Sequence, residues 1–241
     1  MGDRMSKIIK YDRSVVPACD VKTVQDFRKL IEQTHDVNGI GAYKVGSILT
    51  VRYGLPLLVQ TVREFTDLPV IYDHQKAMTD IDDLGRDFSA VVKDAGADAL
   101  IGFPQAGPST EEAWIKACKE VGLEVIVGGE MTHPKYRRSE GGYIADESLD
   151  EMYLLAARLG VNNFVVPGNK KERVSHYRSL LQPIVGDSLA FFAPGFIAQG
   201  GVITDIARAA GRSWHAIVGR GIYLANDIRQ AATEMASQLF M

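Results

Sequence analysis

Eight short apolar runs, each followed by an amphipathic stretch, recur along the chain, and this alternation limits the fold more than any single motif. The runs fall at residues 15–19, 41–45, 70–72, 99–102, 124–127, 163–166, 189–193 and 216–219. The amphipathic stretches fall at 24–33, 47–64, 83–95, 109–121, 147–159, 171–182, 202–210 and 226–239. Strands that are apolar at successive positions are covered on both faces, as in a parallel sheet wrapped by helices. Eight strand–helix units in 241 residues predict one α/β domain over 1–241, a (β/α)8 TIM barrel. A doubly wound sheet would place a glycine-rich turn after its first strand, and Cys19-Asp20-Val21-Lys22 is not one.

Composition narrows the function classes. A formal net charge of −3 gives no electrostatic case for nucleic acid or an anionic membrane surface. Two cysteines, Cys19 and Cys118, do not make a disulfide framework or a zinc site. No run has the length of a membrane span, and Met1-Gly2-Asp3-Arg4 does not begin a signal peptide, so a cytoplasmic protein is expected.

In such a barrel the chemistry sits just past the carboxyl ends of the strands. The third run, Val70-Ile71-Tyr72, is followed within nine positions by Asp73, His74, Lys76 and Asp80. A buried strand gains nothing structurally from that set. Asp20 and Lys44 end the first two runs, and an alternating array of cations and carboxylates makes a buried lysine tolerable. Lys44 by itself could equally be a surface lysine at a strand end. After strand five comes Glu130-Met131-Thr132-His133-Pro134, a polar turn whose Thr132 could touch a ligand or none. The last two loops, with Pro194, Gln199, Gly219 and Arg220, offer backbone N–H groups and a guanidinium fork suited to phosphate. Trp114 and Trp214 read as packing, and residues 135–138 as a solvated face.

Taken in order, these residues resemble the orotidine 5′-monophosphate decarboxylase family, from Ala18-Cys19-Asp20 to Gly221-Ile222-Tyr223-Leu224-Ala225. The most specific parts are Glu130-Met131-Thr132-His133-Pro134, Pro194-Gly195 with Gln199-Gly200-Gly201, and Val218-Gly219-Arg220-Gly221-Ile222-Tyr223. The resemblance implies decarboxylation of the nucleotide to uridine 5′-monophosphate in pyrimidine biosynthesis, without metal or organic cofactor. By position, Asp20 is similar to the family's ribose ligand, Lys44 reaches ribose and array, and Asp73 faces the substrate carboxylate. Lys76 resembles the proton donor, and Asp80 with Ile81 the residues contributed across a homodimer interface. Thr132 stands where the family contacts the pyrimidine, and Pro194, Gln199, Gly219 and Arg220 match its phosphate end.

The family's Asp-x-Lys-x-x-Asp is lengthened here to Asp73-x-x-Lys76-x-x-x-Asp80. Strand side chains alternate faces, so Asp73 and Lys76 share a face only if the backbone leaves strand geometry between them. The expectation is such a departure, with His74 or Gln75 turned out of the array and the extra residue before Asp80 taken up in a turn. Two rivals stand beside this reading. One is a Mg²⁺-dependent sugar-phosphate decarboxylase or aldolase relative, which would carry a carboxylate at the place of Lys44. The other is a silent nucleotide-phosphate-binding barrel whose altered spacing has disabled the array.

Overall fold

A computed structural model describes residues 7–75, 77–195 and 203–240, with side chains from 207 in the last segment and not at 240. Eight parallel strands form one sheet in the order β1-β8-β7-β6-β5-β4-β3-β2. They are β1 (Arg13–Pro17), β2 (Tyr43–Gly46), β3 (Val70–Asp73), β4 (Ala99–Gly102), β5 (Glu124–Gly128), β6 (Asn163–Val165), β7 (Ala190–Pro194) and β8 (Ser213–Val218). Single bridges Val15↔Ile40 and Ala18↔Lys44 bring β1 beside β2, so the sheet curls into a nearly closed barrel. The helices are α1 (Val24–Thr34), α2 (Ser47–Tyr53), α3 (Leu55–Arg63), α4 (Leu84–Asp94), α5 (Pro108–Glu120), α6 (Asp146–Arg158), α7 (Lys171–Val185), α8 (Ile203–Ala210), α9 (Arg220–Tyr223) and α10 (Ile228–Ser237). Among the described residues no helix is long and apolar enough to cross a membrane.

Period-two alternation divides each strand between two cores. Val16, Ile71, Ala99, Ile101, Ile126, Val165, Phe192 and Ile217 point into the barrel, where Ile9 joins them. Val15, Tyr43, Val45, Leu100, Val127, Phe164 and Phe191 point outward into the layer under the helices. Thr23 caps α1, its hydroxyl accepting from the Asp26 N–H at 3.1 Å, and Asp227 caps α10 from the Gln230 N–H at 2.8 Å.

Two expected boundaries are corrected. The stretch 47–64 is two helices, because Gly54 takes φ +79° between them and Pro56 fits the first turn of α3. The eighth strand begins at Ser213, three residues earlier than its apolar run, and it therefore includes a polar inward position. His215 shares the barrel interior with Ser14, Nδ1 to Oγ 2.8 Å, and burial pushes its pKa down to about 3, so the ring is neutral. The two satisfy each other.

One buried carboxyl lies away from the barrel mouth. Glu111 on α5 is 1% exposed, its Oε1 has no hydrogen-bond partner among the described residues, and burial raises its pKa to about 8. A raised carboxyl pKa favours the protonated fold, so its contribution is intact below about pH 4.5 and is lost as pH rises through about 8. Glu111→Gln should leave stability at pH 5 nearly unchanged and raise it by about 2 kcal/mol at pH 8.5, roughly 4–8 °C in Tm. Thermal unfolding at the two pH values checks this; equal shifts at both would contradict it.

Candidate active site

The carboxyl ends of β1, β2 and β3 converge on one ion-paired triad. Lys44 and Gly46 occupy the inward face of β2, with Ala42 just before the strand, as Ile71 and Asp73 do on β3, and Gly46 stands in register with Asp73. The Lys44 ammonium lies 2.5 Å from Asp73 Oδ2 and 3.7 Å from Asp20 Oδ1. Lys44 is 7% and Asp73 8% exposed, so the pair is held in a low-dielectric mouth. Burial works to strip the Lys44 proton, but the carboxylates of Asp73 and Asp20 outweigh it and hold the ammonium above the usual lysine range. Asp73 Oδ1 is buried with no hydrogen-bond partner among the described residues. Toward the described residues that carboxylate oxygen has acceptor capacity to spare. Gly46 makes room for the triad, since a Cβ there would stand 2.8 Å from Asp20 Oδ1.

Strand geometry ends at Asp73. The Ala77 N–H bonds to the His74 carbonyl at 2.7 Å, closing a turn, and Met78 takes φ +67° with its side chain buried beneath Gly102. Positive φ at a non-glycine residue is uncommon and marks a backbone held by its surroundings. His74 turns toward the outer face of the sheet. Its Nδ1 bonds the Tyr72 hydroxyl at 3.0 Å on the outer face of β3, and its ring lies 5.1 Å from that of Phe88 on α4. Lys76 lies outside the described residues, as does Gln199. Asp80 and Ile81 are exposed at the rim, the Asp80 carboxylate accepting from the Ile81 N–H at 2.8 Å. No described contact joins them to the triad of their own chain.

Across the mouth, three loops meet around Asn169. Its Nδ2 donates to the Thr132 carbonyl at 3.1 Å, and the Gly168 N–H donates to the Pro194 carbonyl at 3.0 Å. Gly195, at φ +101°, is hemmed in by Thr132 Cγ2, which a Cβ would approach to 3.2 Å. Thr132 and Pro194, expected to contact one ligand, are thus brought together through Asn169 and Gly195. Gly219 sits beside Tyr223 and Ala18, the residue just past β1, and Arg220 is exposed at the head of α9.

The base of the Thr132 loop is held by a charge network. Glu130 is 1% exposed and accepts from Arg173 Nε at 2.7 Å, the Tyr177 hydroxyl at 2.6 Å and Lys170 Nζ at 3.0 Å, with Arg137 Nε 3.3 Å away. Burial alone would raise its pKa, but these partners prevail and hold the carboxyl below the usual range. Residues 135–138 are a solvated face only at Lys135 and Arg138, which are exposed, since Arg137 also pairs with Glu140 and Asp146 and Tyr136 is buried. Sequence reasoning missed the roles of Gly46, Asn169 and this network. Gly46 alone carried a usable sign, a glycine directly past a charged strand end.

Known proteins share this arrangement of strands and loops. The sequence profile of the orotidine 5′-phosphate decarboxylase / HUMPS family matches residues 13–235. The chain belongs to that family. Among curated relatives, the orotidine 5′-phosphate decarboxylase of Methanosarcina mazei is 32% identical over 225 residues, covering 93% of this chain and 94% of its own length. That of Thermococcus kodakarensis is 30% identical over 225 residues, covering 93% and 96%. Orotidine 5′-phosphate decarboxylase from Pyrococcus horikoshii superposes with a TM-score of 0.78 at 28% identity, covering 94% of this chain and 99% of that one. The Methanocaldococcus jannaschii orotidine 5′-monophosphate decarboxylase complexed with the inhibitor BMP gives 0.82 over 95% and 99%; at 24% identity it speaks for the fold. The orotidine 5′-phosphate decarboxylase / HUMPS family thus covers all eight strands of the barrel.

Proposed function

We propose that this chain decarboxylates orotidine 5′-monophosphate to uridine 5′-monophosphate, with no metal and no organic cofactor. The observation that carries the reading is the Asp20–Lys44–Asp73 triad, with Asp73 Oδ1 unpartnered among the described residues. A substrate carboxylate placed beside Asp73 would meet a fixed negative charge. Leaving as CO₂ removes that repulsion and places the bonding electron pair on C6 of the pyrimidine. Lys76 is the proposed electrostatic stabiliser of that carbanion and the donor of the proton that replaces CO₂ at C6, recovering its own proton from solvent. Asp20 would take a ribose hydroxyl, Thr132 the pyrimidine, and Pro194, Gln199, Gly219 and Arg220 the phosphate end. Phosphate binding, remote from C6, would supply energy for closure over the reacting group.

The magnesium-dependent reading is disfavoured by the place of Lys44. Its ammonium already lies between the two carboxylates a divalent ion would use, and a second cation there would be repelled.

The working unit proposed is a homodimer in which Asp80 and Ile81 complete the site of the second copy. What supports this is their exposure at the rim, together with large apolar side chains left open on α2 and α4: Ile48, Val51, Ile81 and Val91 are 64%, 88%, 59% and 68% exposed.

Ultraviolet-monitored turnover of orotidine 5′-monophosphate by purified protein, with chelator present, tests the proposal. Loss of the substrate band with release of one CO₂ per nucleotide is expected, from a species sedimenting as a dimer. Nucleotide binding without turnover would favour a silent barrel, and activity returning only with Mg²⁺ would favour the sugar-phosphate relative.

A further inference from the structure

The lengthened segment has to put Asp80 and Ile81 in a fixed place although ten residues, 74–83, separate β3 from α4. Its side chains give it little internal support at that point, since Asp80 and Ile81 are both exposed. The backbone is held instead, and from a single direction. Thr110 Oγ1 on α5 donates to the Asp80 carbonyl at 3.1 Å. Trp114 Nε1, one turn on, donates to the Ile81 carbonyl at 3.0 Å. Ser109 Oγ, in the same first turn, donates to Asp82 Oδ2 at 3.2 Å. Three successive residues are thus tied by one helix, leaving the side chains of the first two turned to solvent.

The clamp is itself rigid. Trp114 is 3% exposed, and its ring packs 5.2 Å from that of Phe88, which in turn lies against His74. Gly85, the second residue of α4, lets the indole come this close, because a Cβ there would stand 2.8 Å from Trp114 Cδ1. At the other end of the segment, Phe103 N–H bonds the Ala77 carbonyl at 3.0 Å and Met78 is buried. Between those anchors and α4, the α5 bonds fix where the backbone of Asp80 and Ile81 runs.

We propose that Thr110 and Trp114 are positioning residues for the reaction, acting through Asp80 by fixing the backbone that presents it. A segment gripped by its carbonyls with its side chains outward is built to present those side chains to something else. Trp114 therefore does more than the packing its sequence context suggests. The inference rests on the assignment of Asp80 to the second copy's site made above.

A double-mutant cycle tests it, using purified full-length protein and orotidine 5′-monophosphate. Trp114→Phe keeps the ring and removes the N–H. It should lower kcat/KM about tenfold, mainly in kcat, since a small displacement of a reacting-site charge costs rate steeply. In an Asp80→Asn background the same change should cost less than twofold, while the accompanying Tm shift is equal in both backgrounds. A similar loss in both backgrounds, or none in the wild-type background, would overturn the proposal. Should Trp114→Phe fail to fold, Thr110→Val reads the same cycle, with Thr110→Ser expected to restore activity. A wild-type chain without turnover overturns the functional reading and this inference with it; an active wild type with additive losses overturns this inference alone.

Discussion

Asp73→Asn is expected to lower kcat for orotidine 5′-monophosphate by about 10²–10³-fold, whereas His74→Asn costs less than tenfold. The first change removes the negative charge that, among the described residues, alone stands within hydrogen-bonding distance of the Lys44 ammonium, the other carboxylate being 3.7 Å away. It also removes a buried oxygen that has no hydrogen-bond partner among the described residues. A loss of roughly 3–4 kcal/mol in the barrier term is typical when one preorganised electrostatic group leaves a water-poor site. The fold should weaken as well, because a buried ammonium is left with a single distant partner. His74 lies on the outer face, bonded to Tyr72 and packed at a tilt against Phe88, and an asparagine there disturbs packing rather than charge. Initial rates at saturating substrate, with thermal unfolding as a control, separate the two. Equal losses would mean that the negative group of the array has been misassigned.

Arg220→Ala is expected to reduce kcat/KM by about 10²–10³-fold, with most of the loss in KM. Arg220 is exposed at the head of α9, beyond Gly219 and next to the mouth, where a bidentate charge-assisted contact to phosphate oxygens is available. The chemistry supplies its own control. Orotidine, which lacks the phosphate, should be turned over slowly by wild type and equally slowly by Arg220→Ala, because the missing interaction has nothing to act on. A variant that handles both compounds worse by the same factor would place Arg220 outside the phosphate contact.

The barrel was legible because its signal is repeated eight times, and an error of two residues at any boundary leaves the topology intact. Asp20, Lys44 and Asp73 were legible for a different reason: charges at the ends of apolar strands have no structural purpose there. What escaped depends on partners distant in sequence. Ser14 and His215 are 201 positions apart and neutralise each other's polarity, so the true start of β8 was hidden by a residue that looked unfit for a barrel interior. Arg137 reads as one of a run of cations until Glu130 and Asp146 are seen to fold around it. The break at Gly54 was local and readable, but amphipathic spacing continues across it and masks the change of helix axis.

The pairing of β1 with β8 also bears on how the protein is made. Ser14 meets His215 in register, so the seam of the ring joins segments synthesised some two hundred residues apart. Until β8 has left the ribosome, β1 can hold only β2, and the far side of β7 is an open edge rich in phenylalanine and alanine. Helices can form early and pack pairwise, yet closure waits on the strand pairing of longest separation in the sheet. Nascent chains of intermediate length therefore expose a sheet edge prone to pairing with neighbours, and chaperone dependence during synthesis should be greatest just before residue 218 emerges.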